Sequence, residues 1–242
     1  MLPSYLLPLP TTLVGVLTHI AIAIPVSYAL VSCLEHAIHK RMMHTKGMPR
    51  FVYGILPYLN WILDEHAVRH HGKYYKRFDY EPDPEGKEQN IIIGPVETLA
   101  MGMACMPAIL PVALFVSPIG AVIFCLTGLA HNYTWGKIHR QMHVPEQNSW
   151  FKNNAVYLFL ARHHFLHHEF PMKNFNVVMP LADYVFGSVA KPRRAHVKEM
   201  LRLGYLQPRT ARGARALATL RQRVDATAQV TALPAQPTAL AA

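Results

Sequence analysis

From Met1 to Leu34 the chain carries no Lys, Arg, Asp or Glu, and from Ile91 to Gly136 its only charged side chain is Glu97. Two such stretches limit the fold, because a charge-free run long enough to form a helix is stable chiefly inside a bilayer or a large core. Residues 11–34, 24 in all, would make a helix of about 36 Å, enough for a tilted span. Pro25 is expected to kink it, which lipid-embedded helices tolerate. The 46 residues from 91 to 136 are too many for one span and suit a helical hairpin turning between Pro111 and Pro118. Residues 51–63 are apolar but too short to cross, and read as an interfacial or re-entrant piece with Tyr53, Tyr58 and Trp61 at the membrane–water boundary. Charged residues make up 16% of the chain, against about 25% in a typical soluble domain.

Ten of the fifteen histidines lie in the segments between and after these stretches. They form four clusters: His39 and His44; His66, His70 and His71; His139 and His143; His164, His167 and His168. Imidazole is the commonest metal ligand, and a cluster holds a metal only where the rings converge. Helical spacing predicts that His66/His70, His139/His143 and His164/His168 each share a face, with His164/His167 doing so at spacing three. His39 and His44 are five apart, about 140° around an ideal helix, so they serve two metals or straddle a distorted helix end. Ten imidazoles suffice for five ligands on each of two metals. Glu35, Asp64, Glu65 and Glu169 stand near the clusters and are expected to accept a ligand's spare N–H rather than bind metal. A lone His19 inside the first span is expected to be packed, not ligating.

The net charge of +10 does not point to nucleic acid: the Lys and Arg residues form no run and no nucleic-acid motif. They flank the apolar stretches, which predicts a cytoplasmic face for them and an external N-terminus. Each cluster emerges on that same face. Cys33, Cys105 and Cys125 include no CxxC and read as small buried side chains. The N-terminus lacks the basic region of a signal peptide. HExxH and ExxH motifs are absent, excluding a zincin pattern and the soluble di-iron bundle. Residues 72–90 read as an exposed loop, 191–203 as a short basic helix, and 211–224 as an amphipathic surface helix with a stripe of Ala214, Leu217, Leu220 and Val224. The domains expected are 1–204, a membrane-embedded catalytic domain; 205–225, the amphipathic basic helix; and 226–242, a disordered tail.

In order and spacing the four clusters resemble the histidine boxes of the fatty acid hydroxylase superfamily, membrane di-iron oxygenases that include acyl and sphingolipid hydroxylases, sterol desaturases and carotenoid hydroxylases. Residues 35–44 resemble its first box, 66–71 its second, His139 and His143 its third, and His164, His167 and His168 its last. The stretch from Lys173 to Ser188 also resembles the segment after that box. The likeness covers about residues 30–190. It implies an all-α integral membrane fold with a cytoplasmic helical cap carrying the dimetal site, in the inner membrane if the source is bacterial. Family members commonly have four spans, whereas three and a short interfacial piece are counted here. The resemblance also implies two iron ions, with zinc possible in purified samples, and O2-dependent hydroxylation of a lipid C–H bond. Electrons are expected from a separate donor of the ferredoxin or cytochrome b5 type. Lipid desaturation is the alternative within the class, and a membrane metal-binding or transport protein the alternative outside it. His36, His131 and His163 lie beside the boxes but outside the matched pattern.

Overall fold

The computed structural model describes residues 9–75, 78, 94, 98–99, 103, 106, 109–110, 117–144, 150–206, 208, 210–219 and 222. Their regular structure is helical, with no strand among them. The chain divides into two compact units, 1–191 and 192–242, where the sequence placed a boundary after 204.

In the first unit, α1 (Leu13–Ile38) starts where Thr12 accepts a hydrogen bond from Gly15 N, and it continues as a π-helical turn over His39–Met43. The most apolar 18-residue window of Leu13–Met43 has a mean hydropathy of 2.0 and is only 11% buried. Among the described residues this is the one helix long and apolar enough to cross a membrane. Its exposed side chains, Leu13, Val14, Leu17, Ile22 and Val26 among them, are those a lipid-facing helix presents.

The stretch expected to be interfacial forms two short helices, α2 (Arg50–Ile55) and α3 (Tyr58–Leu63), broken at Leu56-Pro57. A second π-helix then runs over Asp64–Tyr74. The first arm of the expected hairpin, Glu97 included, lies largely outside the described residues. The stretch expected to be its returning arm forms α4 (Pro118–His143), begun by Ser117 accepting from Gly120 N with Pro118 in the first turn, an arrangement that satisfies an otherwise orphaned donor. A 3₁₀ turn (Trp150–Asn153) precedes α5 (Ala155–Glu169), whose N-cap Asn154 takes the N–H groups of Val156 and Tyr157. The Tyr157 hydroxyl donates to the Gln141 carbonyl at 3.0 Å and so ties α5 to α4. A loop over 173–180 leads to α6 (Leu181–Val185), which packs with α1. Expected as part of an exposed loop, Tyr75 and Phe78 are instead fully buried.

The second unit contains α7 (Arg194–Arg202), stopped at Gly204, whose φ of +77° suits glycine after a helix end. Residues 211–219 are helical, with Thr210 accepting from Gly213 N. The expected tail, 226–242, lies outside the described residues.

Candidate metal centre

All ten box histidines converge, in two groups of five. Site A consists of His39, His44, His66, His71 and His167; site B of His70, His139, His143, His164 and His168. Within each site the five candidate ligand nitrogens lie within 4.8 Å of one another. The two sites are neighbours, since the adjacent residues His70 and His71 divide between them, as do His167 and His168. The rings of His71 and His168 lie 4.0 Å apart, centroid to centroid.

The backbone explains the division. In the π-helical segments the hydrogen bonds close five residues apart: His44 N donates to His39 O and Tyr75 N to His70 O. That winding brings His39 and His44 to one site, and likewise His66 and His71, with Nε2···Nε2 distances of 3.2 and 3.1 Å. The predicted pair His66/His70 is therefore split between the sites, because the segment is not α-helical. In α5, which is α-helical, His164 and His168 share site B at 3.2 Å. Spacing three there does not pair: His167 goes to site A. His139 and His143 both face site B.

Ring orientation is set through Nδ1. His39 donates to the Phe175 carbonyl, His167 to that of Lys173 at 2.7 Å, His143 to that of Phe78 at 2.8 Å and His168 to that of Tyr75 at 3.2 Å. A carbonyl only accepts, so these four rings carry the proton on Nδ1 and a lone pair on Nε2. The role expected of carboxylates thus falls to backbone carbonyls. Glu35 sits one step back and accepts from Val177 N at 2.7 Å and Asn176 Nδ2 at 3.0 Å. Asp64 is exposed beside Arg69, Glu65 accepts from Arg69 at 2.9 Å, and Glu169 is exposed.

The carboxylate the sequence reading missed is Asp183, fully buried beneath the site. It accepts from His163 Nε2 (2.8 Å), Ser188 Oγ (2.6 Å), Phe175 N (3.0 Å) and Asn176 N (2.8 Å). Burial alone would raise its pKa, but the donors, His163 first, outweigh that and hold it below the usual carboxylate value. The signal available was its place in the segment after the last box. His36 and His131, with Nε2 atoms 3.7 Å from Asp183 and 3.9 Å from Glu35, belong with His163 to this supporting layer. His19 is in neither site.

Several observations fit a cation in each site. In site A, His44 Nε2 lies 3.2 Å from His39 Nε2 and 3.0 Å from His167 Nε2, both lone-pair acceptors. In site B, His164 Nε2 lies 3.0 Å from His143 Nε2 and 3.2 Å from that of His168, again both acceptors. One proton cannot serve both neighbours, whereas a cation serves all the lone pairs. His70, almost fully buried, has no hydrogen-bond partner at either ring nitrogen among the described residues, which is costly unless something charged meets it. Imidazole nitrogens about 2.1 Å from a shared metal stand about 3 Å or more apart, and the Nε2 separations of 3.0 to 3.2 Å are compatible with that.

Burial, and then crowding by fellow histidines, pushes His66, His70, His71, His164 and His168 well below the ordinary histidine pKa. Burial likewise takes His44 down to about 3 and His167 to about 4. The rings are neutral near pH 7, the state that binds metal. An all-imidazole set accepts iron, zinc, copper or nickel. No protein-family model, curated protein or solved structure matches the chain.

Proposed function

We propose that this protein is a membrane-bound di-iron oxygenase of the fatty acid hydroxylase type, hydroxylating a lipid C–H bond. The observation that carries the reading is the pair of adjacent five-imidazole sites drawn from all four boxes in the order that resembles that superfamily. The ten imidazoles would hold two iron ions, which when bound would supply O2 activation with electrons from a separate donor. The chain's own residues hold the rings: the carbonyls of Phe175, Lys173, Phe78 and Tyr75 fix which nitrogen faces inward. Among the described residues neither group includes a carboxylate, which separates this ligand set from that of the soluble di-iron bundles.

A lipid substrate is supported by what surrounds α4. A cavity of about 640 Å³ is lined by Leu99, Met103, Met106, Ile109 and Leu129, with Asn132 and Tyr133 at its wall. Asn132 lies seven residues before His139, two helical turns along the same face and about 10 Å away. An apolar chain occupying the cavity would therefore run along α4 toward site B. The exposed apolar residues of α1 and α4, such as Leu17, Ile22, Val122 and Leu126, support a bilayer around these helices, with the hairpin giving three spans in all. The Lys/Arg distribution supports an external N-terminus with the sites on the cytoplasmic side; reporter fusions at the two ends should read out on opposite sides, and a cytoplasmic N-terminus overturns this topology.

The test of function is expression in a host under isotopically heavy O2, with the lipids compared by mass spectrometry. The expected result is a lipid that gains one heavy oxygen atom, and loses that product in the His143→Ala variant. A lipid that loses two hydrogens without gaining oxygen would make the enzyme a desaturase. No lipid change, with metal bound, would overturn the oxygenase reading.

A further inference from the structure

The loop over residues 173–179 belongs to one metal site. Its carbonyls at Lys173 and Phe175 hold His167 and His39, both in site A. Rings of site B take their carbonyls from elsewhere: Tyr75 and Phe78, just beyond the second π-helix, hold His168 and His143.

The loop itself is gripped from two sides by buried carboxylates. Asp183 takes the N–H groups of Phe175 and Asn176. Glu35, from α1, takes Val177 N and the Asn176 side-chain amide. Asn174 is in the left-handed region at φ +53°. Its side chain donates to His163 O at 2.9 Å and accepts from Ala190 N at 2.6 Å. Carbonyl direction depends on backbone torsion, so these contacts fix where the Lys173 and Phe175 oxygens point.

We infer that Asp183 and Glu35 are positioning residues for site A alone, acting through the loop carbonyls, so that the affinities of the two metal sites are set by separate parts of the chain. This rests on reading the two imidazole groups as metal sites. An isosteric Asp183→Asn change places an amide NH2 against a donor, either Asn176 N–H and His163 or Phe175 N–H. The loop must shift, and with it the rings of His39 and His167. Groups that orient a metal-binding imidazole are worth about 10- to 100-fold in metal affinity. As Asp183 acts one bond further out, about tenfold is expected at site A.

The experiment loads metal-free full-length protein in detergent with Co(II) and measures ions per chain by elemental analysis across a titration, with cobalt absorption as a site signature. The unaltered chain should take up two ions. Asp183→Asn and Glu35→Gln should each keep one at unaltered affinity and bind the second about tenfold more weakly. Adding His143→Ala to Asp183→Asn should then weaken both ions, whereas adding His39→Ala should leave the tightly held one in place. A role in general folding would weaken both sites together in the single variants, and that result overturns the inference. So does uptake identical to the unaltered chain, or loss of the fold in both variants. Binding of two ions with no lipid oxidation would sink the proposed activity and leave this inference standing. Two tight ions in Asp183→Asn would do the reverse.

Discussion

Phe78 and Asn174 are the two non-glycine residues with positive φ among those described, at +72° and +53°. Phe78 turns its own carbonyl to His143, and Asn174 lies between the two carbonyls that hold His167 and His39. A non-glycine residue in this region costs about 1–2 kcal/mol, which the surroundings must offset. At Asn174 the offset is visible in its two buried side-chain hydrogen bonds. Asn174→Ala keeps the strain and loses both bonds, so we expect about 2–4 kcal/mol of destabilisation. A thermal midpoint unchanged from the parent would refute this. The histidines give a second prediction. Burial holds the folded pKa values of His66, His70, His71, His164 and His168 well below the ordinary 6.5, and takes those of His44 and His167 to about 3 and about 4. The unfolded chain therefore takes up protons below about pH 6.5 that the fold does not. Stability of the metal-free protein is full above that pH and is lost as the pH falls from 6.5 toward 3. Thermal melts at pH 8, 6 and 5 should show a falling midpoint, and a flat profile would contradict the buried, neutral state of these rings.

The π-helices decide which ring falls in which of the two imidazole groups. His66 and His70 would share a site on an α-helix, but the five-residue winding assigns them to A and B. His66→Ala and His71→Ala should therefore weaken the same ion, whereas His66→Ala and His70→Ala should weaken different ones. Metal titration of the two double variants checks this: the first pair acts on one ion, the second on both. Loss of a single ion from the 66/70 pair would mean the segment is α-helical in solution. This is also where the sequence was least legible. The spacings named ten residues and every one falls in one of the two imidazole groups, but intervals of four and five residues cannot reveal helix type. A π-helix is rare and leaves no compositional mark in HKRMM or DEHAVRHHGKY. Nor could spacing show that backbone carbonyls, rather than Glu35 or Glu169, would orient the rings. Those carbonyls come from Tyr75, Phe78, Lys173 and Phe175, and only the folded chain brings these residues to the boxes. The first apolar stretch was read almost to its bounds as α1, because an uncharged run has few alternatives.

At the scale of the molecule, imidazole takes the place usually held by aliphatic side chains. Six of the twelve largest fully buried side chains among the described residues are histidines: His39, His70, His139, His143, His164 and His167. A core of this kind gains little from hydrophobic transfer, and each buried polar atom left unsatisfied costs about 1–3 kcal/mol. The apolar residues beside it, Tyr75, Phe78, Phe165 and Phe175, wall the rings off from water and so raise that cost. Bound ions would reverse the balance, because they would meet the inward lone pairs in the fold and find no such arrangement in the unfolded chain. Stabilisation then grows with ion concentration over the dissociation constant, about 2.7 kcal/mol at a hundredfold excess for one site. Stripping the purified protein with a strong chelator should lower its melting midpoint by several degrees or more. Adding back Zn(II) or Fe(II) should restore it, in two steps if the sites differ in affinity. A midpoint indifferent to metal would mean that the imidazoles are held by packing alone, and both sites would lose their physical rationale.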